Sequence, residues 1–298
     1  MNDDDRQDHD CDLCGSGDAA EIEVARAYTD GQPLHVCKNC GFVYVRRRRS
    51  ARRIAEAWSQ EIFGAAYTAR IPAVVARQVY VAEFVNSTVG LGKRTLCDLG
   101  AGEGQFAEIA STLAPSLEVF AVEPSTEHCR AMTEAGIACF NGTIEDFAAS
   151  DARNGRRFDI VTIMWTLENC QSCRAMLDAA HELTTENGYV VVATGSRILV
   201  PFKKPLHAYF SRNPADTHCF RFSTNTLRGA LAESGFEVTH VNHYLDTDYL
   251  VMIGTHRSRT RSIPWKGDDW RQVLDYFRRW DRETREHYPV NAEQGATS

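Results

Sequence analysis

The chain has 298 residues, of which 43% are hydrophobic and 24% are charged, so its composition excludes the fibrous and intrinsically disordered classes. Its formal net charge is −7. The chain therefore lacks the overall positive charge on which non-specific nucleic-acid binding usually depends. Neither a leader peptide nor an apolar run long enough to cross a bilayer is recognisable, and we therefore expect a cytoplasmic protein without a membrane span. The 10 cysteines then favour free thiols or zinc ligands over a disulfide framework.

Two cysteine pairs follow an acidic N-terminus, residues 1–10, that we expect to be mobile. The pairs have the Cys-x-x-Cys spacing of a zinc ribbon, and each is followed by glycine: Cys11 and Cys14, then Cys37 and Cys40. Four thiolates complete a tetrahedral zinc shell, and zinc could supply the folding free energy that the small core of this segment lacks. The spacing predicts a structural zinc ribbon over residues 11–50, with four unrelated thiols or transient disulfides as the alternative.

An arginine run, Arg46–Arg49, follows the cysteine pairs. It fits either a surface that grips phosphate or RNA, or a solvated linker, and the linker is favoured. Residues 51–92 then show the helical spacing of apolar positions, among them Ile54, Trp58 and Val74. We predict a helical connector in that range.

Strand-like and helix-like segments alternate over residues 93–256, which predicts an α/β fold with a doubly wound, Rossmann-like sheet of seven strands. The predicted strands are residues 95–99, 118–122, 137–140, 158–164, 188–194, 236–243 and 249–255. The predicted helices are residues 104–114, 126–135, 172–185 and 224–234. The last two strands are joined by a short link and should form an antiparallel hairpin at one sheet edge. Residues 257–298 are predicted to form a linker, one helix and a mobile tail.

The loop after the first of these strands, within Asp98–Gly104, has a glycine at every second position. Gly100, Gly102 and Gly104 suit a backbone that turns sharply and lets a ligand approach, and the helix that follows offers free N–H groups. A dinucleotide-binding fingerprint needs its third glycine at position 105, which is Gln105. The spacing therefore disfavours NAD(P).

The loop resembles the first motif of class I S-adenosylmethionine-dependent methyltransferases, and four further motifs follow in the family's order. They are Val119–Ser125, Gly142–Phe147, Phe158–Glu168 and Asn187–Val190. The resemblance implies that Glu123 binds the ribose hydroxyls and that the segment after strand three flanks the adenine. The cofactor-binding residues that it implies are Asp98, Gly100, Gly102, Gly104, Glu123, Thr143, Ile144, Glu145 and Trp165. The alternatives are a solvated loop for Glu145, core packing for Trp165, and a Rossmann-like core that is catalytically inactive or binds another ligand.

Two features distinguish the chain from the family that it resembles. Many small-molecule members have Leu-Glu-His after strand four, whereas this chain has Leu167-Glu168-Asn169, so that a family base is missing there. A zinc ribbon before a class I domain is similar to a bacterial group best known for nucleotide-sugar C-methyltransferases, whose further C-terminal domain does not fit this length. The resemblance thus supports zinc and methyl transfer well and sugar C-methylation poorly. For the third pair, Cys170 and Cys173, packing at a helix start is favoured over a metal or redox role.

The long connection from Gly195 to Arg221 is predicted to be a substrate lid. Its basic and aromatic side chains could hold a phosphate or carboxylate, or form a solvated loop: Arg197, Lys203, Lys204, His207, Tyr209, Arg212 and Arg221. His218 is the predicted general base, with a structural role as the alternative.

Together these features predict an S-adenosylmethionine-dependent methyltransferase that modifies a small, sugar-like or anionic substrate, such as a nucleotide sugar or a glycan, at oxygen or carbon. An RNA methyltransferase that grips its substrate with the ribbon is one alternative, although the net charge disfavours nucleic acid. A non-catalytic binding module is the other. The expected cofactors are S-adenosylmethionine and structural zinc, and the oligomeric state stays open.

Overall fold

The computed structural model describes most of the chain in six ranges. They are residues 5–61, 71–150, 155–201, 204–210, 218–242 and 249–288. Lys203, Arg212 and the expected mobile tail beyond residue 288 lie outside the described residues.

The strands of the described residues are numbered here along the chain. They are β1 (Gln7–Asp8), β2 (Ala19–Glu21), β3 (His35–Cys37), β4 (Val43–Tyr44), β5 (Arg47–Arg48), β6 (Thr95–Leu99), β7 (Glu118–Glu123), β8 (Ala138–Asn141), β9 (Phe158–Met164), β10 (Thr184–Thr194), β11 (Phe220–Arg221), β12 (Phe236–Val241) and β13 (Leu250–His256). All seven strands predicted for the central sheet are confirmed, and β11 and the short N-terminal strands were not predicted.

The helices of the described residues are numbered in the same way. They are α1 (Ala51–Glu61), α2 (Ile71–Val89), α3 (Gln105–Leu113), α4 (Thr126–Glu134), α5 (Ile144–Ala149), α6 (Cys173–Leu183), α7 (Leu206–Tyr209), α8 (Thr224–Glu233) and α9 (Trp270–His287). Serine side chains begin several of them, since Ser125 and Ser172 each accept a hydrogen bond from a backbone N–H of the first turn. Within the described ranges, no helix combines the length and the apolar character that a membrane crossing requires.

The central sheet has the order β12-β13-β10-β9-β6-β7-β8 in the described part of the chain. The strands from β10 to β8 are parallel, whereas β13 is antiparallel to both β10 and β12. Helices α2 and α3 pack on one face, and α6 and α8 on the other, so the inner strands are buried on both faces. This confirms the predicted α/β fold and its edge hairpin. Because the carboxyl ends of parallel strands meet at one edge, the loops after β6, β7, β8 and β9 lie together there.

The cysteine-rich segment forms a second sheet of four strands in the order β11-β4-β3-β2. Its outer strand β11 comes from the long connection before α8, where Phe220 pairs with Tyr44. The rings of Phe42 and Phe220 stack with centroids 5.7 Å apart, and both rings belong to the core cluster that includes the central sheet. The ribbon therefore shares a core with the central sheet. In addition, Gln7–Asp8, which we expected to be mobile, pair with Arg47–Arg48.

Helix α9 packs on the ribbon side of the molecule. Its buried hydrophobic residues share a core with ribbon residues and with the long connection; they are Val273, Tyr276, Phe277 and Trp280. The hydroxyl of Tyr276 donates to the Val200 carbonyl at 3.1 Å, and Trp280 Nε1 donates to the Lys204 carbonyl at 2.8 Å. The predicted substrate lid is thus, in its described part, a structural layer between the ribbon and α9, because its apolar side chains fill that space.

Two cysteines expected to be ordinary thiols are paired. Cys129 on α4 and Cys139 on β8 form a disulfide, with their Cα atoms 5.6 Å apart. The other eight cysteines are free. The pairing corrects the expectation because a helix and the strand that follows it bring two residues ten positions apart into contact.

Candidate active site

The glycine loop turns from β6 into α3 with a left-handed backbone at all three glycines. The φ angle is +74° at Gly100, +58° at Gly102 and +80° at Gly104, a region that glycine enters without steric cost. A Cβ at Gly100 would lie 2.5 Å from Thr166 Cγ2, and one at Gly104 would lie 2.6 Å from Met132 Cγ. A Cβ at Gly102 would meet open space. Two of the glycines therefore also permit close packing, while Gly102 leaves room above the loop.

Glu123 ends β7 at the same sheet edge, and its carboxylate is tied to the glycine loop. Its Oε2 accepts a hydrogen bond from Gly102 N at 2.8 Å, and its Oε1 accepts one from Ser125 N at 2.8 Å. The side chain is buried, and this burial raises the pKa of Glu123 to about 7, although both hydrogen bonds lower it. Each oxygen keeps a further lone pair, so the carboxylate can accept additional hydrogen bonds while it holds the loop.

Asp98 lies on β6, one residue before the strand ends, and is buried. Its Oδ1 accepts a hydrogen bond from the Thr162 hydroxyl at 2.6 Å, and its Oδ2 has no partner among the described residues. Burial raises the pKa of Asp98 to about 7, and the neighbouring Glu123 carboxylate adds to the rise. Gly104 caps the start of α3. Of the predicted cofactor-binding residues, Asp98 and Gly104 are the two that do not line the cavity above the loop.

A cavity opens above the glycine loop, between the carboxyl edge of the sheet and helices α1 and α2. The predicted cofactor-binding residues that line it are Gly100, Gly102, Glu123, Thr143, Ile144, Glu145 and Trp165. Thr143 and Asp146 form a capping box that begins α5, which is why this segment, expected to be a loop, is helical. Lining residues that the sequence did not assign to the site are Ile54, Trp58, Val74, Arg77, Gln78 and Asn169.

The wall opposite the glycine loop comes from the segment predicted to be only a helical connector. Ile54 and Trp58 lie one turn apart on α1, and Val74 and Gln78 lie one turn apart on α2. The spacing of the apolar positions predicted a common buried face on each helix. The spacing did not indicate that these faces would line a cavity rather than pack in the core.

Trp165, the first residue after β9, has a left-handed backbone with φ = +54°, which is strained for a bulky residue. The guanidinium carbon of Arg77 lies 4.2 Å from the centroid of the Trp165 ring, and the ring of Tyr249 meets Trp165 edge-on at 6.1 Å. Asn169 Nδ2 donates to the Trp165 carbonyl at 2.9 Å. Asn169 therefore supports the strained turn at Trp165.

His218 lies beside the cavity, outside the set of residues that line it. Its Nδ1 is hydrogen-bonded to Ser196 Oγ, and its ring centroid is 6.1 Å from that of Trp58, which does line the cavity. Arg197 and Arg221, predicted to hold substrate, are buried and donate to oxygen atoms of the surrounding chain. Their positions are structural because the long connection packs under α9.

The ribbon cysteines form a cluster in which all four Sγ atoms lie within 4.8 Å of one another: Cys11, Cys14, Cys37 and Cys40. The Sγ atoms of Cys11 and Cys40 are 3.6 Å apart, and those of Cys14 and Cys37 are 3.5 Å apart. A tetrahedral zinc ion with Zn–S bonds of about 2.3 Å separates its sulfur ligands by about 3.8 Å. The residue types, their number and their separations thus fit a four-cysteine zinc ion.

The third cysteine pair lies between the cavity and the ribbon. Cys170 lines the cavity and donates to the Leu167 carbonyl at 3.2 Å, and Cys173 begins α6. Burial raises the pKa of both thiols well above its usual value, which keeps them protonated. A protonated, buried thiol pair is consistent with packing.

Comparisons with known proteins place these features in a family. A family model described as a methyltransferase domain matches residues 68–241. No curated protein matches the chain. One similar solved structure is 1,6-didemethyltoxoflavin-N1-methyltransferase from Burkholderia thailandensis, with bound 1,6-didemethyltoxoflavin and S-adenosylhomocysteine. It is 15% identical, with 73% of this chain and 96% of that chain covered and a TM-score of 0.53.

Two further solved structures have a TM-score of 0.50. Magnesium protoporphyrin IX methyltransferase from Synechocystis PCC 6803 is 13% identical, with 68% of this chain and 94% of that chain covered. Human N-acetylserotonin methyltransferase is 16% identical, with 70% of this chain and 57% of that chain covered. The present chain therefore spans less than two thirds of the length of the human protein. These likenesses concern the fold. Because the family model spans more than half of the chain and includes the glycine loop and Glu123, the chain belongs to the methyltransferase domain family.

Proposed function

We propose that the chain transfers a methyl group from S-adenosylmethionine to a small-molecule acceptor in the cavity above the glycine loop. The observation that carries this proposal is the hydrogen bond between Gly102 N and the Glu123 carboxylate, which sets an acceptor for a ribose diol beside open space. In this arrangement Gly100 and Gly102 let the amino-acid part of the cofactor approach the backbone. The adenine side is lined by Thr143, Ile144 and Glu145.

When bound, the cofactor supplies an electrophilic methyl group on its sulfonium. The task of the chain is to hold the acceptor's nucleophile in line with that methyl group at near-attack distance and to exclude water. Ile54, Trp58 and Val74 give the helix side of the cavity an apolar surface that serves both purposes. On the sheet side of the cavity, burial raises the pKa values of Asp98 and Glu123 to about 7. The negative charge on that side therefore changes with pH around neutrality.

We assign proton removal from a hydroxyl acceptor to His218. Its contact with Ser196 fixes the ring, and its position next to Trp58 puts it within reach of an acceptor that extends past that tryptophan. The variant His218→Gln should lose most of its kcat while its affinity for S-adenosylhomocysteine stays unchanged. An unchanged kcat would remove His218 from the mechanism.

The acceptor is proposed to be anionic or sugar-like, such as a nucleotide sugar or a glycan. RNA methylation is a second candidate, favoured by one observation. Arg46, Arg47 and Arg49 line a groove that shares Ile54 and Trp58 with the cavity. If RNA is the substrate, its binding should weaken steeply as salt concentration rises, and the slope should decrease when these arginines are replaced.

We also propose a structural zinc ion on the four ribbon cysteines and a division of the chain into a ribbon (residues 11–50), a helical connector (51–92) and a methyltransferase domain (93–256). The separations between the Sγ atoms support the metal site. The ion would fix the ribbon, and through β11 it would fix the long connection that pairs with it.

Calorimetry with S-adenosylhomocysteine tests the function, followed by incubation with labelled S-adenosylmethionine and a panel of nucleotide sugars, glycans and RNA. The variant Gly102→Val should abolish binding, because a branched side chain would occupy the space above the loop. Gly136→Val is the matched control, since Gly136 also has a positive φ and open space but lies outside the cavity lining. Absence of binding heat in well-folded wild-type protein would overturn the proposal.

A further inference from the structure

We infer that the acceptor carries a carboxylate and that Arg77, with Gln78 beside it, anchors this group at the helix side of the cavity. The inference rests on the proposed function, which places the nucleoside at the glycine-loop side. Arg77 is the only lysine or arginine among the described residues that line the cavity. The acidic lining residues all belong to the sheet edge: Glu103, Glu123 and Glu145. The charges are therefore separated across the cavity, with the single positive charge on the helix side.

The guanidinium of Arg77 has an unsatisfied hydrogen-bond donor. Arg77 Nε is buried without a hydrogen-bond partner, and no salt bridge joins Arg77 to a carboxylate of the described residues. Gln78, a residue that is 9% exposed, also lines this side, and its amide nitrogen can donate a hydrogen bond to an anion. A half-buried cation without a counter-ion is unfavourable in a protein interior. This side of the cavity therefore suits an anion that the described residues do not supply.

Trp165 holds the guanidinium in place. Arg77 lies over its ring at 4.2 Å, a cation–π contact that restricts the side chain to the cavity wall. Trp165 has a positive φ, and the side chain of Asn169 donates to its carbonyl. Backbone strain that neighbouring residues enforce is concentrated at ligand sites, where it positions a side chain. The strained backbone of Trp165 places its ring under the guanidinium of Arg77, and this position explains why the strain is retained.

The carboxylate belongs to the acceptor rather than to the cofactor, because the cofactor has a different partner. The N–H groups at the start of α3, in Gln105, Phe106 and Ala107, have no partner within the helix, and they face the end of the glycine loop. The cofactor's carboxylate would be held there. Trp165 lies under Arg77, and Trp58 and Val74 line the same helix side of the cavity, which suits a flat apolar body. Between the anionic and the sugar-like acceptors of the proposed function, the geometry therefore favours the anionic ones, and among them a flat, apolar carboxylic acid.

The test uses the full chain loaded with S-adenosylhomocysteine, with benzoate as the probe and benzamide as its neutral counterpart. We expect the wild type to bind benzoate at least about tenfold more tightly than benzamide, as a charge-assisted hydrogen bond provides. Arg77→Met should remove this preference and leave benzamide binding unchanged, and Arg77→Lys should keep part of it. Arg130→Met is the matched control, because Arg130 is exposed on α4 and outside the cavity lining.

A second arm separates the two sources of carboxylate. 5′-Methylthioadenosine lacks the amino-acid carboxylate of S-adenosylhomocysteine, and the ratio of the two affinities should be the same in Arg77→Met as in the wild type. A collapse of that ratio would assign Arg77 to the cofactor and overturn the inference. Equal binding of benzoate and benzamide, or no binding of benzoate, by wild type that binds S-adenosylhomocysteine would also overturn it. If the wild type fails to bind S-adenosylhomocysteine, the proposed function itself fails.

Discussion

The substitution Glu123→Gln tests the cofactor site most directly. The substitution keeps the size of the side chain but replaces one carboxylate oxygen with an NH2 group, which cannot accept a hydrogen bond. In the wild type, Gly102 N donates to one oxygen of Glu123 and Ser125 N donates to the other. One of these two N–H groups therefore loses its acceptor in the variant. A hydrogen bond to a charged group contributes about 1.5–3 kcal/mol. The loss of charge and of one acceptor should therefore cost about 2–3 kcal/mol of cofactor binding, which is a decrease in affinity of about 30–150-fold.

Calorimetry with S-adenosylhomocysteine at pH 8 measures this loss, and Glu127→Gln on the exposed first turn of α4 is the control. The pH dependence gives an independent check. Because burial raises the pKa of Glu123 to about 7, the accepting carboxylate is protonated at lower pH. Wild-type affinity should thus decrease as the pH falls below 7, by up to about tenfold per unit. A Glu123→Gln variant with wild-type affinity, or with an unaltered pH profile, would refute the role of Glu123.

Three further predictions concern stability and metal. Cys37→Ser should lose the zinc measured by atomic absorption and lower the melting temperature, whereas Cys97→Ser, in the central sheet, should retain the metal. Burial raises the folded-state pKa of Asp98 to about 7, so its contribution to stability is fully present below its unfolded value of about 3.8 and is lost as the pH rises through 7. Asp98→Asn should therefore flatten the fall in melting temperature between pH 5 and pH 8. Phe277→Ala should cost about 3–5 kcal/mol of unfolding free energy in denaturant titrations, against little change for the exposed Arg279→Ala.

The parts of the fold that could be predicted are those in which neighbouring residues carry the signal. The strands and helices of the central sheet follow from local apolar spacing, and Gly100, Gly102 and Glu123 belong to short motifs at strand ends. Pairings between distant segments could not be predicted in this way. The contact of Arg77 with Trp165 depends on how α2 packs over the sheet, and β11 is recognisable as a strand only once the ribbon is there to pair with it.

The position of β11 also gives the ribbon a role that its small size did not suggest. Phe220 pairs with Tyr44 of the ribbon, and Val45 N donates to the Cys219 carbonyl at 2.8 Å, so the ribbon fixes the backbone next to His218. The glycine loop and Glu123, by contrast, are held by the central sheet. Removal of the metal should therefore impair the acceptor side, where His218 lies, more than the nucleoside side. A zinc-free protein that keeps its affinity for S-adenosylhomocysteine but loses kcat would indicate that the ribbon positions the catalytic base rather than gripping a nucleic acid.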